Sequence, residues 1–221
     1  PARADDTDFL KAAFSGEIST LKQLLEKGTN VDYQNEMGFS ALIVASQYGH
    51  TDIVKFLLEN NATIDLKNAG GASALIIAAK NGHADIVNLL LEKGAQLDTQ
   101  TTDGITALML AVQKGHEAIA DTLLAKGADI HLQTKEKLTA LIIAAMEGRA
   151  TIVDKLLAKN APVDAQASDN TTALYMAARN GHTAIVEKLL AHKAAVNLLA
   201  INDTTPLFVA AQNGHTDIVK A

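Results

Sequence analysis

Five histidines fall on one 33-residue grid: His50, His83, His116, His182 and His215. Each follows a glycine. Imidazoles serve both as metal ligands and as acid–base catalysts, so those chemistries come first. His50-Thr51-Asp52, His83-Ala84-Asp85 and His215-Thr216-Asp217 also set a carboxylate two residues beyond the ring, as an acid–base pair would. A hydroxyl column, Ser40, Ser73, Thr106, Thr139, Thr172 and Thr205, is a third source of reactive groups. Spacing argues against all three. Equivalent side chains on stacked helices stand about 8–10 Å apart, whereas a Zn–N bond is about 2 Å, so neighbours in the column cannot share an ion. An active site is one asymmetric constellation, and a pair repeated at every turn is scaffold. The hydroxyls precede helical runs, where they are used as N-caps. Gly70-Gly71 is too short to cradle a phosphate, and neither a Gly-x-Gly-x-x-Gly nor a Walker pattern is present. The expectation is a chain with no catalytic residue, no metal and no cofactor.

Composition narrows the class further. The 221 residues are 48% apolar and 20% charged, which describes a folded, soluble chain. Aromatics make up only 4% and Trp is absent, so a core of Ala, Leu, Ile and Val favours closely packed helices over a sandwich or barrel. The net charge of −6 is the wrong sign for nucleic acid and for anionic membranes. No apolar run approaches the roughly 20 residues of a membrane span. The absence of Cys excludes disulfides, thiolate metal sites and cysteine nucleophiles, and suits either redox compartment.

The positioning elements are repeated with the same period. Gly16, Gly49, Gly82, Gly115, Gly148, Gly181 and Gly214 are 33 residues apart, and Leu42, Leu75, Leu108, Leu141, Leu174 and Leu207 keep step with them. Each unit begins with a hydroxyl cap and an Ala-rich first helix that a neighbour can approach closely. Its glycine supplies a left-handed C-cap. Asp52, Asp85 and Glu117 then suit the dipole of a second helix, whose Ile53, Val54, Leu57 and Leu58 bury one broad face. Gly94-Ala95 and Gly127-Ala128 end that second helix. The units run 5–37, 38–70, 71–103, 104–136, 137–169, 170–202 and, in part, 203–221, forming one domain. Stacked neighbours share one core. Lys11, Lys22 and Gln23 make the first unit polar outside, while Leu207, Phe208, Ile218 and Val219 should lie at an incompletely covered, fraying end.

The chain resembles the ankyrin-repeat family. The signature T-P-L-H-x-A appears as Ser-Ala-Leu-Ile-Val-Ala at 40–45, Ser-Ala-Leu-Ile-Ile-Ala at 73–78, Thr-Ala-Leu-Met-Leu-Ala at 106–111 and Thr-Pro-Leu-Phe-Val-Ala at 205–210. The family's Asn-Gly-His turn stands at 81–83, 180–182 and 213–215. Ile43, Ile76, Met109, Ile142, Tyr175 and Phe208 replace the signature His, so apolar packing must take over from its hydrogen bond to Thr. Arg149 replaces the turn His in the fifth unit. The resemblance implies an all-α solenoid of stacked helix–turn–helix units joined by extended β-turn tips, with each turn His bonded to the adjacent unit. It also implies a non-catalytic module that binds a protein partner on its concave face.

In that family, contacts come from the tips and from the two residues before the turn glycine. Carried over, this implicates Phe14, Gln47, Tyr48, Lys80, Asn81, Gln113, Lys114, Met146 and Arg179, with Met37, Phe39, Ile105 and Leu138 at the tips. Phe14, Met37, Phe39 and Tyr48 are expected to face solvent as one patch, extended by Ile105, Leu138 and Met146. Changing Phe39 and Tyr48 to Ala should weaken binding with little loss of stability. Leu198-Leu199-Ala200-Ile201 is either a second contact or a tip covered by the last unit. Ala2-Arg3-Ala4 matches an A-x-A signal-peptidase site. If the chain is exported, it resembles periplasmic bacterial ankyrin proteins, and an inhibitor or self-protection (immunity-like) role toward an envelope enzyme, such as a cell-wall hydrolase, follows by analogy. The alternative is a passive cytoplasmic adaptor. Free in solution, the chain is expected to be a monomer.

Overall fold

A computed structural model describes residues 4–221. The Ala2-Arg3-Ala4 pattern therefore falls outside the described residues, apart from Ala4, which opens the first helix. The helices form antiparallel pairs: α1 Ala4–Ser15 with α2 Ile18–Glu26, α3 Ala41–Tyr48 with α4 Thr51–Glu59, and α5 Ala74–Asn81 with α6 Ala84–Glu92. Then come α7 Ala107–Lys114 with α8 Glu117–Ala125, α9 Ala140–Met146 with α10 Ala150–Ala158, α11 Ala173–Asn180 with α12 Thr183–Ala191, and α13 Pro206–Gln212 with α14 Thr216–Lys220. Odd-numbered helices lie against each other more closely than even-numbered ones. Their alanines, such as Ala41, Ala45, Ala74 and Ala78, are fully buried at these contacts. Closer spacing in one row bends the stack toward that row, so the odd helices and the tips beside them form the concave side.

Local chemistry sets the ends of the odd helices. The hydroxyls of Ser40, Thr106, Thr139, Thr172 and Thr205 accept the N–H three residues on, at 3.1–3.3 Å. Ser73 departs from the expected pattern: its hydroxyl is buried and has no partner. At the other end, Gly49, Gly82, Gly115 and Gly181 take the left-handed conformation, with φ between 75° and 81°. The residues in place of the signature His are buried from Ile43 to Tyr175, so apolar packing does replace the lost bond there. Tyr175 also restores a polar link, its hydroxyl lying 3.0 Å from that of Thr204.

Three sets of recurring hydrogen bonds join successive units, beside ion pairs such as Lys188 to Asp154. At the tips, a backbone ladder runs from Ala69 N–H to Met37 C=O, Thr102 to Gly70, Lys135 to Asp103, Ser168 to Glu136 and Ile201 to Asp169. Beyond the even helices, carboxylates of Asp32, Asp65, Asp98 and Asp164 accept the N–H of Thr63, Gln96, Asp129 and Ala195. The omitted step would pair residues 131 and 162. These are His131 and Pro162, so acceptor and donor are lost together. The turn histidines make the third joint, described below. At the C-terminal end, Leu207, Phe208 and Val219 are exposed as expected, but Ile218 is buried because α14 is long enough to fold it onto the core. In the last tip, Ala200 is buried while Leu199 and Ile201 stay exposed.

Candidate protein-binding surface

The residue two places before each turn glycine has a double use. Its carbonyl accepts a bond from the imidazole 36 positions later: Phe14 from His50 at 2.9 Å, Gln47 from His83 at 3.1 Å, Lys80 from His116 at 3.2 Å, Met146 from His182 at 3.2 Å and Arg179 from His215 at 3.0 Å. A carbonyl can only accept, so each ring carries its proton on Nε2. Every member of the column is thus engaged in scaffold. Among the described residues, no three His, Asp or Glu side chains converge to hold a metal ion. Arg149 fills the fifth place less well. Its guanidinium reaches the Gln113 carbonyl at 3.5 Å, and its Nε is buried with no partner.

Of those same residues, the side chains of Phe14, Lys80 and Arg179 are exposed, and those of Gln47 and Met146 are half-buried. Phe14 and Tyr48 meet edge to face, with centroids 4.5 Å apart and planes at 70°. They remain 53% and 46% exposed. A ring pair of this geometry is worth roughly 0.5–1.5 kcal/mol beyond its buried area, so each ring holds the other in place. Together with Leu10, Tyr33, Phe39 and Gln47 they line a cavity of about 450 Å³. Phe39 corrects the sequence expectation. The Asn35 side chain accepts the N–H of both Met37 and Phe39 within the tip, and the Phe39 ring is half-buried against the core. Met37 points away at 65% exposure and does not line the cavity.

Ile105, Leu138 and Met146 are also half-buried, and they do not extend the aromatic patch. They line a second cavity of about 340 Å³ between α7 and α9, with Gln113 on its wall and Met109 and Ile143 beneath. A third cavity of about 460 Å³ shares Gln113, Glu136, Leu138 and Met146 with it and reaches Met176 and Ala167. The two form one central groove that has no residue in common with the aromatic cavity. Lys80, Asn81, Lys114 and Arg179 are exposed and line neither depression. Tyr33, Met109, Ile143 and Met176 were not among the expected contact residues. The concentration of three of the four methionines between 109 and 176 was the available signal.

The comparisons agree with this geometry. Segments 9–101, 61–134, 95–167 and 141–221 each match the family described as "Ankyrin repeats (3 copies)", together spanning nearly the whole chain. The chain belongs to the ankyrin-repeat family. The crystal structure of the human ASB11 ankyrin repeat domain is similar over 96% of each chain, with a TM-score of 0.84 and 29% sequence identity. No curated protein matches the sequence. Ankyrin repeats are in general protein–protein interaction modules, typically non-catalytic, and this repeat chain has the architecture for that use. Among the described residues, no helix is long and apolar enough to cross a membrane.

Proposed function

We propose that this ankyrin-repeat chain is a non-catalytic, monomeric binding module that grips a protein partner on its concave face, anchored by Phe14 and Tyr48. The observation that carries this reading is the exposed edge-to-face pair beside a ready cavity. Rigid, half-exposed aromatic rings next to a depression have the composition and shape of binding hot spots. Because Phe39 packs on the core, Phe14→Ala and Tyr48→Ala are the cleaner tests. Each should weaken binding of a partner, captured from native lysate and identified by mass spectrometry, by about 2 kcal/mol. The double variant should lose less than the sum, since the rings touch. Undiminished affinity on calorimetric titration would move the binding face elsewhere.

The finer reading is that the partner is an envelope enzyme, such as a cell-wall hydrolase, held inactive in the periplasm. Its support is the A-x-A pattern at Ala2-Arg3-Ala4, and a chain free of thiols is compatible with it. Fractionation of cells expressing the gene tests the compartment. A partner that keeps full activity in the complex would mark a passive cytoplasmic adaptor instead.

A further inference from the structure

The central groove has a chemistry that the aromatic cavity lacks. Its floor is apolar and rich in methionine, a flexible side chain that adapts to varied apolar partners. Its rim is acidic. Asp103, Glu136 and Asp169 occupy the same tip position in consecutive units, 33 residues apart, and all three line the groove. Their own carbonyls are acceptors in the backbone ladder, so the row is held in register. Lys135 pairs with Asp103 at 3.3 Å. Glu136 is exposed, and among the described residues it has no cation within ion-pair distance. Asp169 is also without one, its carboxylate holding only the N–H and hydroxyl of Thr171.

We propose that this groove takes an extended segment of a protein partner in the polyproline-II conformation, with Lys or Arg at every third position and apolar side chains between. This deepens the concave-face reading and rests on it. Charge complementarity selects the basic residues, and the floor selects the apolar ones. The spacing selects the conformation. Stacked helices repeat at about 8–10 Å, and a polyproline-II helix repeats every three residues at about 3.1 Å each, or about 9 Å. One basic side chain therefore meets each successive carboxylate. A β-strand would turn residues i and i+3 to opposite faces and lose every second contact.

The test is fluorescence polarisation of the full chain with a labelled peptide of repeating Lys-Pro-Leu triplets, about nine residues long, enough to pass all three carboxylates. Repeats of Glu-Pro-Leu and Lys-Pro-Ser serve as controls. The Lys-Pro-Leu peptide should bind roughly tenfold or more tightly than either control, and added salt should weaken it severalfold. Glu136→Lys should cut its affinity roughly tenfold, and Glu136→Gln by less. Among the described residues Glu136 makes no side-chain hydrogen bond or ion pair, so both variants should keep the parent melting curve. Failure of the Lys-Pro-Leu peptide to bind, equal binding of the Glu-Pro-Leu peptide, or indifference to Glu136→Lys overturns the proposal. A captured partner sensitive to Phe14→Ala but not to Glu136→Lys removes the groove proposal alone. Insensitivity to both variants removes the concave-face reading with it.

Discussion

At the scale of single residues, the turn glycines and their imidazole neighbours make a measurable pair. A Cβ on Gly82 would lie 2.7 Å from Cε1 of His116, at a φ of +81°. Gly94 has a similar φ of +87° and nothing within 4 Å of the added carbon. Gly94→Ala should cost about 1–2 kcal/mol, the penalty for a left-handed Cβ. Gly82→Ala should cost at least about 1 kcal/mol more, because the ring that joins two units must shift. Urea titration of the two variants reads the difference; equal midpoints would mean that the imidazole moves aside freely. The role of these residues was legible in the sequence, since an imidazole after five of the seven turn glycines has one repeated task. The posture of Phe39 was not legible. Its position in the repeat says "tip", while in the fold that position packs on the core in unit after unit, as Ala72, Ile105 and Leu138 also do.

At the scale of elements, the joint between units 104–136 and 137–169 lacks two links that recur elsewhere in the stack, although an ion pair from Lys155 to Asp121 crosses it. Arg149 replaces a turn imidazole there, with a bond at the limit of useful length. Its buried, unpartnered Nε adds a desolvation cost of roughly 1–3 kcal/mol. The carboxylate-to-amide link is missing at His131 and Pro162, and α7 and α9 touch less extensively than other neighbouring inner helices. Arg149→His should therefore stabilise the chain by about 1 kcal/mol. His131→Asp alone should gain little, because Pro162 offers no N–H. Combined with Pro162→Thr, it should show a favourable coupling of about 0.5–1.5 kcal/mol in a double-mutant cycle. Zero coupling would mean that the two loops do not meet as they do elsewhere. The exchange of His for Arg149 could be read from the column. The paired loss at 131 and 162 could not, because only the folded geometry shows which carboxylate meets which amide 31 residues away.

At the scale of the molecule, stability is a chain of nearest-neighbour terms, so one poor joint has a regional effect. Native-state hydrogen exchange should show a step in protection between α8 and α9, with the helices on either side opening as separate blocks. A smooth decline from the middle toward both ends would contradict this. Arg149→His together with the restored Asp–Thr pair should erase the step. Fold class and period were readable over the whole chain, because every unit repeats the same local instructions. The separation of the concave side into an aromatic cavity and an acidic groove was not, since it depends on how far each half-buried side chain sinks between its neighbours. The bonds from imidazole to carbonyl have a broader consequence. At Phe14, Gln47, Lys80 and Arg179 these bonds use only the main chain, which every amino acid shares, whereas the Met146 side chain also packs on the core. Those four positions can be rewritten one at a time to suit a new target while the bolts that hold the arch stay tight.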